Sequence, residues 1–198
     1  MTARRSKGTE REALVVAAAA EVIAEQGLVD LRIRDVADRA GMTVGHVTYY
    51  FPSKNELLIR AIRHSELSFH QAVEQRLARL RDPWSRLRAL IDAASASGPG
   101  DPGWVLWFQV WSIAASDPDV AVVQRELAGW WRSKLAEVVD YGVERGAFGA
   151  ADAKRAVAVI SALTDGLSVQ LALGDGTLTR AAVRRLVMAT ASDLLQLG

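Results

Sequence analysis

Three Asp-Pro pairs, at 82-83, 101-102 and 117-118, constrain this chain more than any other feature. An Asp side chain at an N-cap accepts one of the orphan N–H groups of a helix start, and Pro just after it has no N–H to lose and a φ already set for a helix. Each pair therefore starts a helix. Thr9-x-x-Glu12 reads as a capping box before a helix over about 9 to 26, with Leu14, Val15, Ala18, Val22 and Ile23 on one face and Gly27 as its stop. A short helix from Ile33 to Ala40 turns Val36, Ala37 and Ala40 inward. Gly41 breaks it, and Thr43 caps a second short segment ending near Phe51-Pro52. From Pro52 or Lys54 to about Leu80 an amphipathic pattern runs unbroken through Leu57, Leu58, Ala61, Ile62, Leu67, Val73 and Leu77. Further helices are predicted at about 83-95, 103-115, 118-145, 153-173 and 178-196, separated by Gly-rich punctuation. No segment alternates with period two, so the fold class is all-α with about nine helices.

Composition excludes several functions. The 198 residues suffice for a sizeable core, and with no cysteine there is no disulfide, thiol nucleophile or cysteine metal site. No cofactor and no metal are expected. The histidines are His46, His64 and His70, of which the last two stand six apart and so share no helical face, and no His-Glu-x-x-His pair occurs. Catalysis is not expected. The longest apolar stretch, Ala13 to Ala20, is too short for a membrane span, and no signal-peptide pattern follows the N-terminal cations, so a cytoplasmic protein is expected. A formal charge of +1 argues against a broad phosphate-binding surface. Residues 1-60 hold nine Lys and Arg against eight Asp and Glu, so placement matters more than the net figure.

Ala37, Gly41 and Val47 stand at i, i+4 and i+10, with helical sequence on either side. In a helix-turn-helix a small residue lets two helices cross closely, Gly takes a turn conformation that other residues resist, and a branched apolar residue wedges the second helix against the first. Short helices with an Ala and a Gly between them are common, so the surroundings decide. With Val47 inward, a helix from Thr43 to Tyr50 turns Gly45, His46 and Thr48 outward with Tyr49 nearby, groups suited to base edges and phosphates. A purely structural surface helix more often carries Lys, Glu and Arg.

Residues 34-58, Arg-Asp-Val-Ala-Asp-Arg-Ala-Gly-Met-Thr-Val-Gly-His-Val-Thr-Tyr-Tyr-Phe-Pro-Ser-Lys-Asn-Glu-Leu-Leu, resemble the DNA-binding region of TetR-family transcriptional regulators. The pattern of that family runs Ile-Ala-x-x-Ala-Gly-Val-Ser through Tyr-x-x-Phe-x-Ser-Lys-x-x-Leu. Trp107-Phe108 through Asp117-Pro118, Gly146-Ala147-Phe148 and Asp165-Gly166-Leu167 are similar to its BetI-like branch. The resemblance implies a three-helix DNA-binding domain over 1-53 and a ligand-sensing, dimerising helical bundle over 54-198, joined by the long helix. It implies a homodimer that binds a double-stranded palindromic operator through helix three and is released by a small-molecule inducer. Thr43 would cap the recognition helix and offer its hydroxyl to a phosphate, Gly45 would permit close approach, and His46 and Thr48 would face base edges. Tyr49, Tyr50 and Lys54 would reach the backbone, with Arg32 and Arg34 clamping the opposite strand. Thr48 stands where the family most often has Tyr, a position at which BetI-like members tolerate a small hydroxyl, so the phosphate contact usual there is either weaker or supplied by Tyr49. Arg4, Arg5 and Lys7 form an arm that either enters a minor groove or stays a disordered tail. The alternative is a helical small-molecule-binding or interaction protein without operator binding, against which Gly41, Tyr49 and Lys54 argue.

Trp104, Trp107 and Trp111, with Phe108 between them, line one side of a single helix. Such a stripe either packs a core or walls a ligand cavity, as the resemblance implies; Gln109, Ser112, Ser161, Asp165 and Gln170 are its candidate polar members. Aromatic faces suit a cation as well as many apolar molecules, and the BetI-like branch includes sensors of choline-type compounds. The last two helices are apolar on more than one face. Gly166 inside the first of them points to a close helix approach, which pairing across a two-fold would provide.

Overall fold

The computed structural model describes the backbone of residues 2–149 and 152–196, and the side chains of those residues from Gly8 onward. The described residues form α1 (Thr2–Gln26), α2 (Ile33–Ala40), α3 (Val44–Tyr50), α4 (Lys54–Ala78), α5 (Pro83–Ala94), α6 (Pro102–Ala114), α7 (Pro118–Glu144), α8 (Ala153–Ala172) and α9 (Arg180–Leu194), with no strand among them. The Asp-Pro helices start where their punctuation puts them. Asp82 accepts from Ser85 N at 2.8 Å, Asp101 from Trp104 N at 3.0 Å, and Asp117 from Asp119 N and Val120 N at 3.0 and 3.1 Å.

Three expectations need correction. Helix α1 begins at Thr2 rather than Thr9, because Ala, Arg and Lys ahead of the capping box extend the ladder. Glu12 reaches instead to Arg60 at 2.9 Å. Leu14 is 57% and Leu67 55% exposed. At 100° per residue the buried stripe of α1 centres on Val15, Ala18, Ala19, Val22 and Ile23, leaving Leu14 on its flank, and Leu67 falls opposite the stripe of Leu57, Leu58, Ala61 and Ile62 on α4. The side chains of Arg4, Arg5 and Lys7 lie outside the described residues.

The chain forms two compact units, Met1–Phe69 with Leu106–Gln124 and His70–Val105 with Arg125–Gly198. In the first, α1, α2 and α3 bury Val15, Ala19, Val22, Val36, Ala37 and Val47, joined by Leu28, Leu31 and Phe51 from the connections and by the start of α4. Burying each of the Val, Leu and Phe side chains contributes roughly 1.5–3 kcal/mol, and each Ala less. On the surface Arg39 of α2 donates to Glu21 at 3.1 Å and to Glu25 at 2.5 Å, tying α2 to α1. The second unit is a helical bundle whose core includes Leu87, Leu90 and Ile91 of α5, Leu135, Val138 and Val139 of α7, Ile160 of α8, and Val183 and Val187 of α9.

Helix α8 is apolar on two faces. It buries Ala156, Ile160, Leu171 and Ala172, yet leaves Ala158, Val159, Ala162 and Gly166 exposed at helical spacing, with Leu186 of α9 also exposed. A Cβ at Gly166 would meet no atom within 4 Å, so the close approach expected there has no partner inside the chain. No described helix is long and apolar enough to cross a membrane.

Candidate nucleic-acid interface and sensor helices

Helix α2 ends at Gly41, whose φ of 65° and ψ of 34° lie in the left-handed region. The following N–H groups close the helix end, Gly41 N to Asp38 O at 3.3 Å and Met42 N to Ala37 O at 2.9 Å. Glycine is needed there for its backbone, not for space, since a Cβ would meet nothing within 4 Å. Ala37 and Val47 are 1% and 0% exposed, the burial that the spacing predicts for two crossing helices. With Val47 inward, Gly45, His46, Thr48 and Tyr49 are exposed, Tyr49 by 79%.

The hydroxyls of α3 are partly committed. Thr43 is the N-cap, and its Oγ1 accepts from His46 N at 3.2 Å. The same oxygen stands 3.3 Å from His46 Nδ1, so the two side chains are held together before any partner arrives. Thr48 Oγ1 donates back to Val44 O at 3.1 Å and to Gly45 O at 3.2 Å. What Thr48 can offer outward is therefore a methyl group and oxygen lone pairs, fit for a thymine methyl or an exocyclic amine in a major groove. Tyr50 is half-buried and packs edge-on against Tyr49, their ring centroids 5.3 Å apart.

The cations differ in freedom. Lys54 is exposed at the start of α4, its Nζ donating to Val29 O at 3.4 Å, while Ser53 Oγ accepts from Glu56 N at 3.1 Å. An ammonium beside a helix N-terminus is favourable for a phosphate. Arg32 is exposed ahead of α2 and makes no side-chain cap; Arg34 stands 4.0 Å from Asp38, with both side chains mostly in solvent. Such a pair yields readily to a stronger anion.

The residues expected to sense a ligand divide between the two units. Trp107, Phe108 and Trp111 belong to the first, where all three are half-buried and the Trp107–Trp111 and Phe108–Trp111 ring centroids are each 6.1 Å apart. Trp104 belongs to the second and is 9% exposed, its Nε1 donating to Ala94 O at 3.0 Å. Ser161 and Asp165 lie on the inner side of α8 with Thr164 and Ser168. Spaced i, i+3, i+4 and i+7, the four make a polar stripe on one helical face, three of them buried outright. Thr164 donates to Ile160 O at 2.7 Å, but Ser168 Oγ is buried with no hydrogen-bond partner among the described residues, as is Trp131 Nε1 of α7. Burial pushes the Asp165 carboxyl up to about 6 against the opposing pull of Arg132. Buried polar atoms left unpaired cost stability and call for a partner from outside the chain. Ser112 and Gln170 are exposed, so neither contributes to an interior site.

Residues 15–61 match the bacterial regulatory proteins of the tetR family, and residues 83–196 match the C-terminal domain of BetI-type transcriptional repressors. The chain belongs to the TetR family, in its BetI-type branch. It is 32% identical over 193 residues to the HTH-type transcriptional regulator BetI of Paraburkholderia xenovorans, which covers 94% of this chain and 92% of that one. Among solved structures it is similar to a transcriptional regulator of Saccharomonospora viridis in complex with choline, at a TM-score of 0.81 and 25% identity, over 94% of this chain and 98% of that one. A TetR regulator of Haloarcula marismortui, at 0.81 and 23% over 95% and 100% of the chains, shares the fold. The protein is thus a DNA-binding, ligand-responsive transcriptional regulator and not an enzyme.

Two contacts in this TetR-family chain escape a reading of the sequence. Gln109 of α6 accepts from Leu28 N at 2.5 Å, so its amide serves the α1–α2 connection rather than a cavity. Gly27 makes this possible: its φ is +83°, and a Cβ there would come within 2.9 Å of Gln109 Nε2. Asn55, at the start of α4, donates to Asp117 Oδ2 at 2.5 Å while the other oxygen of Asp117 caps α7. Helices α6 and α7 are thereby bonded directly to residues on either side of the α2–α3 pair.

Proposed function

We propose that the protein is a homodimeric repressor that holds a palindromic operator through α3 of each subunit and releases it when a small molecule binds in the C-terminal bundle. The observation that carries this reading is the outward display of Gly45, His46, Thr48 and Tyr49 on a short helix fixed by Val47 from below and capped by Thr43. In this reading residues 1-53 are the DNA-binding part, and residues 54-198 sense the ligand and dimerise. His46 and Thr48 read base edges; Thr43, Tyr49, Tyr50 and Lys54 hold one phosphate backbone, and Arg32 and Arg34 the other. The exposed small-residue face of α8, with Leu186 of α9, supports pairing of these helices across a two-fold, where Gly166 would let the backbones approach.

On the ligand side, Ser161, Thr164, Asp165 and Ser168 offer one carboxylate and unpaired hydroxyl capacity, and Trp104 belongs to the same unit. The choline complex of the Saccharomonospora viridis relative supports a small cation as the first ligand to try. Trp107, Phe108 and Trp111 are the other candidate contacts, tested by separate substitution. Ligand binding shifts the operator equilibrium only to the extent that the ligand prefers the released conformation. The Gln109–Leu28 and Asn55–Asp117 bonds are the route by which α6 and α7 bias the recognition helix.

Fluorescence anisotropy with the chain's own upstream DNA over a salt series tests this reading. The expected result is affinity that falls steeply with salt and weakens further when ligand is added. Affinity that does not respond to salt would overturn operator binding.

A further inference from the structure

Between the last turns of α4 and helix α5 the second unit holds a cleft of about 510 Å³, within the usual range for small-molecule sites. Leu80 and Ala89 contribute its apolar lining, and Arg76, Arg79 and Arg88 surround it with a single carboxylate, Asp92. That carboxylate is already shared, 3.9 Å from Arg76 and 3.5 Å from Arg184 of α9. Arg79 and Arg88 form no ion pair among the described residues, and both are exposed. The other acid that acts on Arg88 is Asp82, whose side chain is occupied in capping α5 on Ser85 N.

A cation near the end of α4 could serve the last carbonyls of that helix. Arg86 already does so, donating to Leu77 O at 2.9 Å and Leu80 O at 3.1 Å while lying over the Tyr141 ring. Two guanidiniums without an ion-pair partner are thus left lining an apolar-floored cleft, with Asp82 acting on Arg88 only through space; such a pair is the chemistry that recognises carboxylate and phosphate.

We propose that the α4–α5 cleft is a second ligand site, for a small organic anion whose carboxylate or phosphate head is met by Arg79 and Arg88 while its apolar part lies on Leu80 and Ala89. The site does not depend on operator binding. It is separate from the polar stripe of α8, and the helix that forms one wall is the one that begins at Lys54.

Isothermal titration of the full chain without DNA tests it, using octanoate and octyl phosphate as probes and octyltrimethylammonium as the charge-reversed control. Saturable binding of one or both anions is expected; which anion binds more tightly distinguishes a carboxylate from a phosphate ligand. The R79Q/R88Q double variant, changed only at exposed side chains, should lose at least about tenfold in anion affinity with an unaltered melting curve, whereas any binding of the cation, which belongs to the other site, should be the same in parent and variant. Absence of saturable anion binding, unchanged anion affinity in the double variant, or an equal loss of cation affinity there would overturn the proposal.

Discussion

Helices α3 and α8 each carry hydroxyl and other polar groups along one face, and the two faces meet opposite environments. On α3 the polar groups stand in solvent around a single buried anchor, Val47; on α8 Ser161, Thr164 and Ser168 are buried and Asp165 half-buried. Water is free to solvate the first set, so little stability rides on those residues. The second set is held largely in the interior, with Ser168 Oγ unpaired among the described residues and Asp165 pushed up to about 6 by burial, so its cost is carried in the folded chain. In the proposed reading, the polar residues that read DNA can therefore be changed without harm to the fold, whereas those that sense a ligand are coupled to it.

The comparison breaks most sharply at the one buried residue of α3. Val47→Asp places a charge at a fully buried site and is expected to cost about 3 kcal/mol or more, abolishing operator binding together with the helical signal of the first unit. Circular dichroism melts and gel shifts read both effects. Loss of DNA binding with an intact melt would mean that Val47 reads DNA rather than anchoring the helix.

Next in size is Asp165. Its carboxyl, and that of Glu66, which burial pushes up to about 7, ionise at higher pH in the folded chain than their ordinary 3.8 and 4.5. The folded state therefore holds more protons than the unfolded one between those values, and stability falls as pH rises from about 4 to about 7. Asp165→Asn removes its share, so the variant should match the parent near pH 4 and exceed it by about 2 kcal/mol at pH 8. Urea melts at the two pH values measure this. A variant no more stable than the parent at pH 8 would show that Asp165 has an ionised partner.

Gln109→Leu comes third. It leaves the buried Leu28 N–H without an acceptor, at an expected cost of about 1–2 kcal/mol, and should reduce the effect of ligand on operator affinity while ligand affinity itself holds. Anisotropy with and without ligand separates this from a general loss of fold. The smallest effect belongs to Thr48→Val, whose hydroxyl is exposed and bonds only within α3; its melting point should barely move, within about 0.5 kcal/mol. Any change in binding should be confined to one base pair of each half-site.

How legible these features were depends on how local their causes are. Asp82, Asp101 and Asp117 cap helices three or fewer residues away, and Gly41 turns a chain whose partners lie within four residues, so the sequence carries them in plain view. Leu14 and Leu67 show the limit of apolar patterning: a hydrophobic residue on a helix does not reveal whether its flank meets a neighbour. The capping box at Thr9 yielded to a longer ladder, which runs through Gly8 without a break. Gln109 pairs with a backbone N–H 81 residues away, which no local pattern encodes; only Gly27 hints that something approaches closely. Ser168 was findable, since it continues the Ser161, Thr164, Asp165 spacing, but hydroxyls at helical intervals look the same on an exposed face as on a buried one.

Selection from a random duplex library, run in parallel with the parent chain and His46→Ala, tests most directly whether α3 of a two-fold dimer reads an operator. The parent should enrich a palindromic site with two equal half-sites, and His46→Ala should enrich a site altered at the same position in both halves. An enriched site without symmetry, or one that His46→Ala leaves unchanged, would contradict it.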